Sequence, residues 1–332
     1  MIAERSQSQK NAAAAKGNSP LKAPPVLMDV ERIWDESPHS AFTDLVRFQG
    51  RFLCTFREAD THVSGNGRIR ILASKDAVEW KSIACLEKKG LDLRDPKLSV
   101  MPDGRLMLLI AACQEDRPEL RQTMVAFSKE GRRFGAFVKA LTAPDWLWRV
   151  TWHRGVGYGL SYNYTGVDEL DQDVSYLKLY QTEDGVRYIE TARLPISGVP
   201  SEASLQFLRD GRMMCLVRRE EGSAWMGESS YPYREWKWQD AREHLGGPNL
   251  LLSACDECWV GGRILRQEAD RLLKATVVGL WHEGTLKSVV ELPSGGDTSY
   301  PGMVLFDHTL FISYYSSHEG KSAIYLAKVF VP

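Results

Sequence analysis

The chain has 332 residues, 43% of them hydrophobic and 26% charged, with a formal net charge of −1. This is the composition of a globular protein long enough to bury a large core, and it lacks the basic field that would draw it to nucleic acid. No apolar run approaches the ~20 residues of a membrane-spanning helix, so neither nucleic acid nor a bilayer span is expected among its partners.

In chain order, residues 1–25 are polar and alanine-rich and end at Pro24-Pro25, which reads as a disordered lead. The segment has no apolar stretch of the signal-peptide kind. As written, the chain is therefore expected in the cytoplasm, and in a secreted or periplasmic setting only if a signal was trimmed. Residues 26–332 read as one domain, beginning with the strand candidate 26-VLMDVERIW.

Beyond it, long helical periodicity is nearly absent. Short apolar runs recur between Gly, Asp, Asn and Pro, among them 52-FLCTF, 106-LMLLIAA, 158-YGLSY, 213-MMCLV and 310-LFISYY. The pattern is all-β. Six of these runs are entered from a polar position, at Asp44, Asp95, Arg149, Glu202, Asn249 and Tyr300, at intervals of 51, 54, 53, 47 and 51 residues. About fifty residues suffice for a four-stranded sheet, so the period predicts a six-bladed β-propeller of four-stranded antiparallel blades. The strand at 26–34 has no partner in the first unit. It is expected to complete the last blade beside 323-AIYLAKVFV and close the ring.

Three turns support the repeat: Ser74-Lys-Asp76-Ala-Val-Glu-Trp80, Ser128-Lys-Glu130-Gly-Arg-Arg-Phe134 and Thr182-Glu-Asp184-Gly-Val-Arg-Tyr188. In each, hydroxyl and carboxylate can satisfy turn amides, a small residue can take the left-handed conformation, and an aromatic can fasten the turn to its blade. Of the six cysteines, Cys54, Cys85, Cys113 and Cys215 lie in strand-like runs and read as buried reduced thiols. Cys255-x-x-Cys258 has no second pair or nearby histidine to complete a metal set. No metal or cofactor is called for. Trp146, Trp148 and Trp152 read first as packing between blades.

In a propeller the innermost strand of every blade begins at one mouth, and the second strand returns there. The starts bring Asp44, Arg94, Asp95, Arg149, Glu202, Asn249 and Tyr300 to that mouth; the returns add Arg57, Arg218, Arg219, Arg263 and Tyr315. The stretch 201-SEASLQFLRDGRMMCLVRRE is a hairpin about Asp210-Gly211, which sets Glu202 beside Arg218 and Arg219. A tyrosine becomes a useful nucleophile when a carboxylate can take its proton, and guanidiniums bind a sugar carboxylate through paired, charge-assisted bonds.

The three turns resemble the Asp-box (BNR) repeat of the sialidase, or neuraminidase, superfamily. The hairpin Glu202…Arg218 and the last unit, 299-SYPGMVLFDHTLFISYYSSHEGKSAIYLAKV, are similar to the two blades that carry sialidase chemistry. The resemblance spans about residues 38–330. It implies an exo-α-sialidase-like glycoside hydrolase acting on a sialoside, with Tyr300 as nucleophile, Glu202 as its base, and Arg218 and Arg263 in the arginine triad. The Arg-Ile-Pro stretch that supplies the first triad arginine is replaced by Phe42-Thr43-Asp44, with Arg57 as a stand-in. For the acid, Asp60 and His62 in 57-READTHVSGNG are candidates, with Asp44 or Asp95 as inner-ring alternatives. A propeller glycosidase or lyase for a different acidic sugar, or a carbohydrate-binding propeller without catalysis, are the competing readings.

Overall fold

The computed structural model describes residues 21, 23–114, 121–163 and 176–332. Most of the lead read as disordered therefore lies outside the described residues. Strand β1 (Val26–Trp34) is followed by six sequential units. The first comprises β2 (His39–Phe48), β3 (Arg51–Ala59), β4 (Arg68–Ser74) and β5 (Lys81–Leu86). The second comprises β6 (Leu91–Val100), β7 (Leu106–Gln114), β8 (Arg121–Ser128) and the short β9 (Val138–Lys139). The third holds β10 (Asp145–His153), β11 (Val156–Asn163), β12 (Tyr176–Thr182) and β13 (Ile189–Pro195), and the fourth β14 (Pro200–Phe207), β15 (Met213–Arg219), β16 (Trp225–Ser229) and β17 (Lys237–Asp240). The fifth holds β18 (Gly246–Leu252), β19 (Cys258–Glu268), β20 (Arg271–His282) and β21 (Thr285–Glu291); the sixth holds β22 (Thr298–Phe306), β23 (Thr309–Ser316) and β24 (Ala323–Phe330).

Each unit is a four-stranded antiparallel meander. The sixth takes β1 as its outer strand, in the order β1-β24-β23-β22, so both ends of the domain meet in one sheet. This is the six-bladed, N-terminally closed propeller that the period predicts. The innermost strand of each sheet keeps one unpaired edge, which the ring turns toward the central funnel, away from other chains.

Six apolar clusters hold the ring, one at each blade interface. Leu53, Ile69 and Ile71 meet Leu93, Leu106 and Leu108 between blades one and two. Cys54, Phe56 and Leu72 meet Tyr315, Ile324 and Leu326 where blade six closes on blade one; Cys113 and Cys215 are buried as well, whereas Cys85, on the outer strand β5, is exposed, contrary to expectation. Trp146 and Trp148 are buried between blades three and four, as packing residues.

The three repeat turns adopt one conformation. Ser74 Oγ, Ser128 Oγ and Thr182 Oγ1 each accept the amide three residues on, all at 2.9 Å. Asp76 and Asp184 add bonds to two further amides each. Ala77 takes the left-handed role at φ 59°, where glycine stands in the other two turns. Trp80, Phe134 and Tyr188 pack into three different blade interfaces.

Every innermost strand carries a register slip at the same height. The slips fall between Ala41 and Asp44, Arg94 and Lys97, Leu147 and Val150, Pro200 and Ala203, Gly246 and Asn249, and Ser299 and Gly302. Their starts are 53, 53, 53, 46 and 53 residues apart, a tighter repeat than the sequence intervals. The difference has a simple origin. Asp95 and Tyr300 are first residues of their bulges, Arg149 and Glu202 second residues, and Asp44 and Asn249 lie one step further on. A bulge bends the strand and re-aims its side chains, so these three positions point differently although all share the mouth.

Gly302 follows the last bulge where blades six and one approach most closely. A Cβ there would lie 2.3 Å from the Leu45 amide nitrogen and 2.7 Å from the Asp44 carbonyl carbon. Because those atoms are backbone and cannot rotate away, Gly302→Ala is expected to lower stability by about 1–3 kcal/mol, read as a fall in the denaturant midpoint. An unchanged midpoint would show that the seam can open.

Candidate active site

Tyr300 sits at the head of the last bulge with φ 55°. Such a conformation is uncommon for a bulky side chain and must be enforced by its surroundings. Thr43 Oγ1 donates to the Tyr300 carbonyl at 2.7 Å, from blade one. On the other side, Ser299 Oγ donates to the Gly246 carbonyl at 2.7 Å, in blade five. The tyrosine backbone is thus pinned between neighbouring blades. Its ring is walled by Phe42, Trp148 and Tyr315, with centroids at 5.1, 5.6 and 6.0 Å.

From this position the Tyr300 hydroxyl donates to Glu202 Oε1 at 2.5 Å, across 98 residues of sequence. Glu202 is buried on the innermost strand of blade four, two blades away around the ring. Its Oε2 accepts Arg218 Nη1 at 2.9 Å and the Gly247 amide at 2.8 Å. Burial works against the charge, but Arg218, the Tyr300 hydroxyl and the Gly247 amide outweigh it and hold the carboxyl below its usual range. Burial, reinforced by the charges of Glu202 and Asp95, pushes the Tyr300 phenol well above its usual value. The resting pair is therefore a neutral phenol on an ionised carboxylate.

Asp95 also heads a bulge in the left-handed region, at φ 49°. Its carboxyl is buried, and its ion-pair contact is a long one, 3.8 Å from Arg94 Nε. Burial raises its pKa, and the Glu202 charge adds to the rise against Arg94 and Lys97. Lys97 is buried two residues on, with Nζ 4.7 Å from the Trp148 ring centroid and 5.4 Å from that of Tyr300. Burial pulls its ammonium down to about 8.

The remaining predicted residues fall in several places. Arg218 divides its guanidinium between Glu202 and Glu220. Arg263 makes no ion pair among the described residues; one Nη meets the Thr298 carbonyl at 3.4 Å, and its buried Nε has no acceptor. Asp44 is fully buried and takes Arg149 in a two-point ion pair at 2.9 and 3.1 Å, while its Oδ2 also accepts the Leu98 amide. Asn249 is committed between blades, accepting from Ser204 and donating to the Pro301 carbonyl.

Arg57 does not stand in at the mouth. It is fully buried, bonded to Asp92 at 2.8 Å and to the carbonyls of Thr61 and Ser64. Gly67 makes room for this arrangement, since a Cβ there would lie 1.9 Å from Asp92 Oδ1. Arg94 shares Asp92 and bonds the His62 carbonyl at 3.0 Å. Arg219, one step along from Arg218, points the other way, to the carbonyls of Ser197 and Ser223 and over Trp225. Asp60 is exposed on the loop after β3. Half-exposed His62, on the same loop, bonds Asp297 at 2.6 Å, and Tyr315 donates to the other oxygen of that carboxylate at 2.9 Å.

Sequence reasoning missed Lys97, Asp92, His39 and Asp297. Lys97 carries a signal in hindsight, because it occupies the bulge-following position held by Asp44 and Asn249. Asp297 precedes a strand start by a single residue, and nothing in its neighbours marks it.

No protein-family model and no curated protein sequence matches the chain. Solved structures do match. A protein of unknown function from Dyadobacter fermentans superposes with a TM-score of 0.76 at 15% identity, over 94% of this chain and 99% of that one. The α-L-arabinofuranosidase Arb93A from Fusarium graminearum gives a TM-score of 0.64 at 13% identity, covering 92% and 98%. Trypanosoma rangeli sialidase gives 0.64 at 10%, covering 87% of this chain; the chain spans 55% of the sialidase's length. The fold is thus a six-bladed propeller shared with more than one kind of glycosidase.

The pairing around Glu202 generates a pH test. Its folded pKa lies below the unfolded one, so its stabilising contribution is complete above the unfolded value of about 4.3 and is lost as pH falls through the folded value. Glu202→Gln should cost roughly 2 kcal/mol at neutral pH. The gap to the unsubstituted protein should narrow below about pH 4, as read by chemical unfolding. A gap that stays constant would remove the ionised carboxylate from the account.

Proposed function

We propose that this chain is a retaining glycoside hydrolase acting on a terminal acidic sugar through Tyr300. The observation that carries the proposal is the 2.5 Å bond from the Tyr300 hydroxyl to a Glu202 carboxylate kept ionised by Arg218. A phenol is a poor nucleophile at neutral pH, and an ionised acceptor on its hydroxyl is what activates it.

The reaction follows in two steps. The Tyr300 oxygen attacks the anomeric carbon as its proton passes to Glu202; the glycosidic bond breaks, and the leaving oxygen takes the proton of Asp95. Water then attacks the same carbon and gives its proton to the Asp95 carboxylate. The tyrosyl bond breaks, and Tyr300 recovers its proton from Glu202. Asp95 suits the acid because burial favours its protonated form.

The sugar is expected to be acidic because a neutral phenol avoids the repulsion a carboxylate nucleophile would meet beside an anomeric carboxylate. Sialic acid is one such sugar. The cations described at the mouth favour a different one: Arg57 and Arg149 are neutralised by protein carboxylates, which among the described inner-ring cations leaves Arg263, the shared Arg218 and the buried Lys97. Related sugars with a carboxylate at the anomeric carbon, smaller than sialic acid, fit that smaller grip.

A second reading is favoured by the same shortage of cations. Glu202 itself attacks the sugar, Tyr300 only orients it, and the substrate is a uronide or a neutral sugar.

Tyr300→Phe separates the two. With tyrosine as nucleophile, turnover should fall at least 10³-fold, or about 4 kcal/mol of barrier. Near-normal turnover would favour Glu202. The substrate follows from assaying aryl glycosides of sialic acid, other anomeric-carboxylate sugars, uronic acids and arabinofuranose side by side. Asp95→Asn should abolish kcat/KM, which reports the first step, on poor leaving groups while sparing it on nitrophenyl substrates, which need little protonation; kcat should fall on both because water loses its base in the second step. Equal losses of kcat/KM on both kinds would remove Asp95 from the acid role.

A further inference from the structure

We propose that His39, His62 and Asp297 form a binding site for a divalent transition cation of the zinc class at the rim of the mouth. His39 opens β2, His62 lies on the loop after β3, and Asp297 immediately precedes β22, so three separate stretches converge. The ligand atoms His39 Nε2, His62 Nδ1 and an Asp297 oxygen all lie within 4.8 Å of one another. The imidazole nitrogens are 3.1 and 2.6 Å from Asp297 Oδ2. Two imidazoles and one carboxylate are a preferred donor set for zinc, and three protein ligands leave a coordination position open.

The surroundings hold these ligands in place, as outer partners do at metal centres. Tyr315 donates to Asp297 Oδ1 at 2.9 Å, which leaves Oδ2 for the two rings. The Asp297 amide bonds Ser317 Oγ at 3.0 Å, and Ser37 Oγ donates to the His39 carbonyl at 3.2 Å. Two buried arginines serve the third ligand. Arg94 holds the His62 carbonyl at 3.0 Å, and Arg57 holds the carbonyls of Thr61 and Ser64 at 3.0 and 2.7 Å on either side of it. Both guanidiniums are themselves fixed by Asp92, so the backbone on either side of His62 is tied to a buried, paired cluster.

Bonds of about 2.1 Å to a tetrahedral ion set neighbouring donors about 3.4 Å apart. The His39–Asp297 spacing is already near that value. The His62–Asp297 spacing must open by less than about 1 Å, on the half-exposed, loop-borne side of the cluster. The His62 ring stands edge-on to Phe42 at 5.0 Å, and Phe42 to Tyr300 at 5.1 Å. The ion would thus lie one aromatic ring from the tyrosine, positioned to bind a hydroxyl or carboxylate oxygen of a saccharide. The site does not depend on the catalytic reading above, and its test uses binding alone.

Chelator-stripped full-length protein is titrated with zinc chloride by calorimetry, with cobalt chloride as a spectroscopic probe. One ion per chain should bind at micromolar or lower Kd, the cobalt absorption should lack thiolate charge transfer, and magnesium and calcium should not compete. His62→Ala, on an exposed loop that should not unfold the protein, and Asp297→Asn should each weaken binding at least 100-fold. Cys255→Ser should leave it unchanged. Absence of binding at 100 µM zinc, binding that survives both ligand substitutions, or binding lost with Cys255→Ser would each overturn the site.

Discussion

The site depends on one backbone event repeated around the ring. Each innermost strand slips register by the same amount at the same height, and the slip turns residues that would lie within a blade toward the central mouth. Phe42, Asp95, Gly247 and Tyr300 all pay for that turn with a positive φ. Only for the glycine is this conformation free of side-chain strain. For Tyr300, ring closure supplies the support, through Thr43 of blade one on its carbonyl and through the bond from Ser299 to the Gly246 carbonyl of blade five. Local strain and global closure are therefore coupled: the blades enforce conformations that the peptide alone would refuse.

The same geometry governs how charge is distributed. A mouth ringed with arginine, aspartate and glutamate looks from the sequence like a surface of free charges. In the folded ring most of them are spent on one another. Asp44 takes Arg149, Asp92 takes Arg57 and Arg94, and Glu202 takes Arg218. A charge removed from water must find a partner, and a buried guanidinium has five donors to satisfy. Among the described residues the remainder includes the Tyr300–Glu202 pair, Asp95 with its long ion pair, Lys97 beneath two aromatic rings, and Arg263. The chemical identity of the mouth is set by this remainder.

The fold was legible because its signals are local and periodic. Strand-length apolar runs, a turn motif repeated in three units and an orphan first strand together admit few architectures other than a closed propeller. The meeting of Tyr300 with Glu202 was legible through topology and through resemblance to a known hairpin. The fates of the arginines were not. Arg218 and Arg219 differ by one step along β15, and strand alternation sends one to the mouth and the other to a loop; the run of two arginines does not say which. Arg57 lies on a returning strand and projects toward Asp92, a residue that no motif marks. His39 and Asp297 are 258 residues apart and meet only because blade six closes on blade one.

That seam between the last and first blades deserves its own weight. It is where the N-terminal strand joins the final sheet, where Gly302 lets two backbones touch, where Thr43 fixes the carbonyl of Tyr300, and where His39 reaches Asp297. Closing a ring of six similar units leaves one junction formed between the two ends of the domain. The Tyr300 carbonyl and the His39–Asp297 contact both lie on that junction, so the geometry around them depends on closure of the ring.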